Sequence, residues 1–134
     1  MLDPETALVY TMVLVSAADG NMTDSELAQI GDIVRTLPAF KDYEHKRLTK
    51  EARACAEVLA DDDGLNHVLD QIVTGLPAKL AETAYAIACD VAAADQKITQ
   101  EEARLLELLR HNLNIDRLCA AAIERGARAR HQTV

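Results

Sequence analysis

The sequence has no tryptophan, one phenylalanine and three tyrosines, so aromatic residues occupy only 3% of its 134 positions. Its apolar content of 49% is therefore carried mostly by Ala, Leu, Val and Ile. Small aliphatic side chains suit close helix–helix packing better than the core of a sandwich or barrel. Only five glycines are present, and none forms a phosphate-cradling loop. The cysteines, Cys55, Cys89 and Cys119, are odd in number and widely spaced. That pattern gives neither a disulfide framework nor a zinc motif, and it fits buried, reduced, inert thiols in a reducing compartment. His45, His67, His111 and His131 are scattered, without metal-ligand spacing, and read as solvated or structural. Ser16 and Ser25 lack the context of a catalytic nucleophile.

Long hydrophobic runs are missing too. The longest near the start, Ala7 to Ala18, is interrupted by Thr11 and Ser16 and is shorter than a membrane span. Met1-Leu2-Asp3-Pro4-Glu5 carries no basic leader. Neither a signal peptide nor membrane insertion is expected, which fits a cytoplasmic protein. No block of like charge reads as a disordered tail. The net charge of −8 repels phosphate backbones and disfavours nucleic acid, while it favours cations and basic partners.

What is present is helical periodicity. Asp3 and Pro4 start a helix with Leu8, Met12, Val15 and Ala18 along one stripe, ended by Gly20. Thr23 caps a second helix, with Leu27, Ile30, Val34 and Leu37 on one face and Pro38 as its stop. A third is expected from about Glu44 to Ala60, with Leu48, Ala52, Cys55, Ala56 and Leu59 inward. Asp61-Asp62-Asp63-Gly64 reads as a solvated turn and cap, with a cation contact as its minor alternative. A short helix covers Leu65 to Thr74, punctuated by Gly75 and Pro77. The helix from Ala78 to Ala94 reads as the central buried one. Thr99 caps another, with Leu105, Leu106, Leu108 and Leu109. Asp116 caps the last, with Leu118, Cys119, Ala122 and Ile123 inward, and the basic end from Gly126 to Val134 is expected to fray. The prediction is an all-α, compact bundle of about seven helices in one domain over residues 1–134.

The informative feature is a repeat. Ala17-Ala18-Asp19-Gly20-Asn21-Met22-Thr23-Asp24-Ser25-Glu26 is echoed by Ala93-Ala94-Asp95-Gln96-Lys97-Ile98-Thr99-Gln100-Glu101-Glu102. Two such units predict a duplication with pseudo-twofold character. Thr23 with Glu26, and Thr99 with Glu102, read as capping boxes, with Met22 and Ile98 as hydrophobic staples and Asp24 and Glu101 as first-turn partners of the dipole. Capping does not account for an Asp closing the preceding helix each time, against the macrodipole. The Asp-to-Glu spacing is that of the second half of an EF-hand loop. The first half is missing, since Val15 and Ala17, and Val91 and Ala93, stand where ligands would be. If the two copies meet, Asp19, Glu26, Asp95 and Glu102 offer an oxygen-rich site for a hard cation, Ca²⁺ or Mg²⁺, with Asp90 a weaker candidate. Nothing in the sequence calls for an organic cofactor.

The first repeat, the run from Leu80 to Leu109 with its second copy, and Leu113-Asn114-Ile115-Asp116 before the last helix together resemble the tellurite-resistance TerB family. The likeness extends over nearly the whole chain. It implies an all-helical, cytoplasmic, non-enzymatic stress-resistance protein whose acidic motif residues bind a divalent metal. It also implies partners from the same resistance system, some of them at the membrane. Carried over by position, Asp19 and Glu26 match the first motif and Asp95 and Glu102 the second. Gln96-Lys97 departs from the pattern, and Lys97 would weaken cation attraction there. The same fold serves as a module in membrane-tethered co-chaperones. The alternative is accordingly a metal-free interaction scaffold whose acidic turns only cap helices. Arg104, Arg110, Arg117, Arg125, Arg128 and Arg130 make the C-terminal part locally basic, by default a solvated face and otherwise a surface for an acidic partner or an anionic membrane.

Overall fold

A computed structural model describes residues 1–17, 20–94 and 98–134. Among these residues there are seven α-helices and no strand. They are α1 (Pro4–Ser16), α2 (Asp24–Thr36), α3 (Leu48–Leu59), α4 (Gly64–Gly75), α5 (Ala81–Ala93), α6 (Gln100–Asn112) and α7 (Arg117–Arg130). The expected third and fifth helices each begin as a short 3₁₀ turn, over His45–Arg47 and Ala78–Leu80, which tightens the chain before the α-helix proper.

The centre of the bundle is α1. Every residue from Thr6 to Val15 is buried, so this helix has no solvent face and the expected stripe is an enclosed cylinder. It packs against α3, α4 and α5 and touches α2 and α6. A helix apolar all round is stable only when neighbours cover each side. Two of its hydroxyls are satisfied along the helix: Thr11 donates to the Ala7 carbonyl at 2.8 Å and Ser16 to that of Met12 at 3.0 Å. The expectation that the helix ending near Ala94 would be central is therefore corrected. In α5, Ala84, Tyr85, Ile87, Ala88, Cys89, Val91 and Ala92 are buried, but Glu82 is exposed and Asp90 is half-exposed.

Two expectations for α7 are also corrected. Its buried residues are Ala120 and Ala127, with Cys119 and Ile123 partly buried, whereas Leu118 is 81% exposed and Ala122 is exposed. The helix docks almost wholly on α5, and the small alanines allow the close approach that Leu118 would prevent. Its end does not fray at Gly126. The helix continues to Arg130, which donates to Asp90 Oδ1 at 2.7 Å, and His131 Nε2 lies 3.3 Å from the same oxygen.

At the other end, Asp3 caps α1 by accepting from the Thr6 amide at 2.8 Å. Its second oxygen accepts from Arg47 at 2.7 Å, and Arg47 also donates to Glu51 Oε2 at 2.8 Å. Tyr43 donates to the other Glu51 oxygen at 2.5 Å, and the Arg47 guanidinium lies 4.9 Å from the Tyr43 ring centre. This network ties the start of α1 to α3.

Candidate functional site

Each acidic turn is built around the helix that follows it. Thr23 is extended, and its hydroxyl accepts from the Glu26 amide at 3.1 Å while Glu26 Oε1 accepts from the Thr23 amide at 2.9 Å. At Thr99 and Glu102 the corresponding distances are 3.1 and 3.0 Å. Both capping boxes are thus formed, with Glu26 and Glu102 each in the first turn of its helix. In both carboxylates Oε1 does the capping, and Oε2 has no hydrogen-bond partner among the described residues.

The staples differ. Met22 and Leu27 are each partly buried against the core, but Ile98 is 52% exposed. The residue that should meet Ile98 is Ala103, too short to hold it. Asp24 and Glu101 are exposed first-turn acids, as read from the sequence.

Asp19 and Asp95, the other two predicted ligands, lie outside the described residues, and so does Lys97. Among the described residues α1 ends at Ser16 and α5 at Ala93, and the expectation of an Asp closing each helix concerns residues outside that range. Among the described residues no group of three His, Cys, Asp or Glu side chains converges as a metal would need. The hard oxygen donors that Ca²⁺ or Mg²⁺ takes are present at the turns in Glu26 and Glu102. Asp90 Oδ1 faces Arg130 and His131 Nε2.

Two packing facts concern the surroundings of the turns. α2, which follows the first turn, touches α5, and Gln29 Nε2 reaches the Val91 carbonyl at 3.5 Å. α6, which follows the second turn, touches α1. Gly20, with φ of +86°, sits so close to the end of α3 that a Cβ on it would lie 2.7 Å from the Ala60 Cβ. The exposed run Asp61, Asp62 and Asp63 begins at the next residue. Asp63 is in the left-handed region and accepts from the Asn66 side chain at 2.6 Å, so it makes no side-chain cap to α4 as had been expected.

Sequence reasoning did not find a trough of about 860 Å³ over α5 between α6 and α7. Tyr85, Cys89, Leu106, Ala120 and Ala127 form its buried floor, and Arg110, Arg117 and Arg128 stand on its walls. Tyr85 donates to Glu124 Oε2 at 2.5 Å across it. The available signal was the face of α7 on which Arg117, Ala120, Glu124, Ala127 and Arg128 recur at helical spacing. Burial pushes the Cys89 thiol up to about 12, so the floor carries no reactive thiolate.

An all-α bundle with two Thr–Glu capped acidic turns, one ahead of α2 and one ahead of α6, defines the class of protein. The chain belongs to the TerB family: the model for tellurite resistance protein TerB matches residues 5–125. No curated protein and no solved structure matches the chain. Among the described residues no helix is long and apolar enough to cross a membrane.

Proposed function

We propose that this protein is a non-enzymatic, cytoplasmic component of a stress-resistance system that binds a divalent cation, Ca²⁺ or Mg²⁺, through its two acidic turns. It docks to partner proteins of that system, some of them at the membrane. The cation is held by Asp19 and Glu26 from one turn and Asp95 and Glu102 from the other, and tellurite resistance is the setting the family suggests.

The observation that carries this reading is the division of labour within Glu26 and Glu102. One oxygen of each closes the capping box and the second is uncommitted among the described residues, so capping and cation binding do not compete. The crossed packing, α2 on α5 and α6 on α1, supports a shared site, because each helix leading out of one turn touches the helix leading into the other. Asp61, Asp62 and Asp63 beside Gly20 add negative potential near the first turn.

The test is thermal unfolding of metal-stripped protein with and without millimolar Ca²⁺ or Mg²⁺. A cation at about 100-fold above its dissociation constant adds about 2.7 kcal/mol, a rise of several degrees for a chain of this size. The shift should vanish in the Asp19→Asn, Asp95→Asn double variant. An unchanged shift in that variant would remove the turns as the site. No shift in the parent protein would leave them as helix caps alone.

A further inference from the structure

We infer that the trough between α6 and α7 is a docking groove for an acidic amphipathic helix, about three turns long, presented by a partner protein. This rests on the docking part of the function proposed above and supplies its surface and chemistry; it does not depend on cation binding.

The groove exists because α6 and α7 each pack on α5 but barely touch one another. Alanines and Leu106 line its base, so a backbone can come close there. Many of its wall residues, Ala103, Ala121, Arg117 and Arg128 among them, are exposed. A small molecule in so open a trough would keep much of its surface in water, whereas an amphipathic helix would bury its apolar stripe and leave its polar back outside.

Charge selects the partner. The chain carries 22 acidic residues against 14 basic ones, yet the groove reverses that sign. Arg110, Arg117 and Arg128 have no ion-pair partner among the described residues. Of the two acids in the groove, Glu107 and Glu124, the second is held by Tyr85. Arg117 and Arg128 lie on one face of α7, with a rise between them of about 16 Å at 1.5 Å per residue. Cations that far apart match carboxylates near both ends of a three-turn helix, not a single compact anion.

The probe is a labelled synthetic helix of about fifteen residues with a leucine stripe and glutamates at both ends. A second peptide carries lysines in place of the glutamates. Binding is followed by amide NMR shifts of the full chain and by fluorescence anisotropy. Expected are shifts confined to α5, α6 and α7, and binding that falls about tenfold in the Arg117→Glu, Arg128→Glu variant and weakens with salt. The same charge change on α3, Lys50→Glu with Arg53→Glu, should have little effect. Ala121→Phe, which fills the groove without altering charge, should also abolish binding. Equal binding of the lysine peptide would overturn the inference. Shifts elsewhere on the surface would overturn the groove while leaving partner docking standing, and so would binding indifferent to Ala121→Phe. No binding by the glutamate helix, with either phosphatidylglycerol vesicles or a second copy of the chain engaging the same residues, would replace the helix as occupant and overturn the inference. The cation-dependent melting shift, read on the same variants, tests the other half of the function separately.

Discussion

Arg130, in the last turn of α7, donates to Asp90 Oδ1 on α5 at 2.7 Å, and the same carboxylate faces His131 Nε2 at 3.3 Å. One acid on α5 therefore holds the C-terminal end of the neighbouring helix. Asp90→Ala should release that end. Hydrogen exchange at the amides of Ala129 and Arg130 should quicken, with little change in the rest of the bundle. The pair is partly exposed, so global stability should fall by no more than about 1 kcal/mol. Asp90 is not one of the four carboxylates proposed to hold the cation, so Asp90→Asn should leave the cation-dependent melting shift intact.

The caps have a predictable weight. Thr23→Ala and Thr99→Ala each remove the acceptor for a first-turn amide, which costs about 1 kcal/mol. That corresponds to a fall of about 3 °C in melting temperature. Thr→Ser at either position keeps the hydroxyl and should restore most of the loss. If the alanine variants melt with the parent, the boxes contribute nothing in solution.

Two glycines should respond oppositely. A Cβ on Gly64 would lie 2.0 Å from the Val58 carbonyl oxygen and 3.0 Å from the Leu59 Cα, both backbone atoms that cannot move aside. Gly64→Ala should destabilise by more than about 2 kcal/mol. On Gly126 a Cβ meets only the flexible end of Arg130, at 3.3 Å. Gly126→Ala should stabilise the protein by up to about 1 kcal/mol through helix propensity. Denaturant melts of the two variants check both signs.

Acid should loosen the Asp3 clasp. Burial alone would raise the Asp3 carboxyl, but the Thr6 amide and hydroxyl and the Arg47 guanidinium outweigh it and hold the group below its ordinary 3.8. The stability this brings is present above 3.8 and is lost as the pH falls through the lowered folded value. Asp3→Asn should therefore flatten part of the acid-side decline in melting temperature. It should matter least at the acidic end, where Asp3 is already protonated.

The thiols should separate by burial. Cys55 and Cys89 are 0% and 4% exposed, and burial pushes both thiols up. Cys119 is partly exposed, and its hydrogen bond with Asp116 raises it to about 11. Alkylation of the native protein near neutral pH should be slow and map to Cys119 first. Cys55 and Cys89 should react only as the chain unfolds.

The helix starts were legible because capping is local. Asp3, Thr23, Thr99 and Asp116 each accept from an amide three residues on, a contact that needs no other part of the chain. Thr23 and Thr99 also had Glu three residues later, which marked both boxes in advance. The phase of α7 was misread because Leu118 is the largest apolar residue near its start, and size suggested burial. The alanines that α5 covers were the quieter signal.

The sequence by itself determined the helical class, the order of the helices, their capped starts and the family likeness, because periodicity and capping act over one or two turns of chain. Only the tertiary structure decided that α1, and not the likewise apolar α5, is the enclosed centre, since that depends on which neighbours surround each helix. The pairing of Asp90 with Arg130 and the opening between α6 and α7 belong to the same level. They join residues forty positions apart, or arise where two helices fail to meet, and long-range packing alone sets such relations.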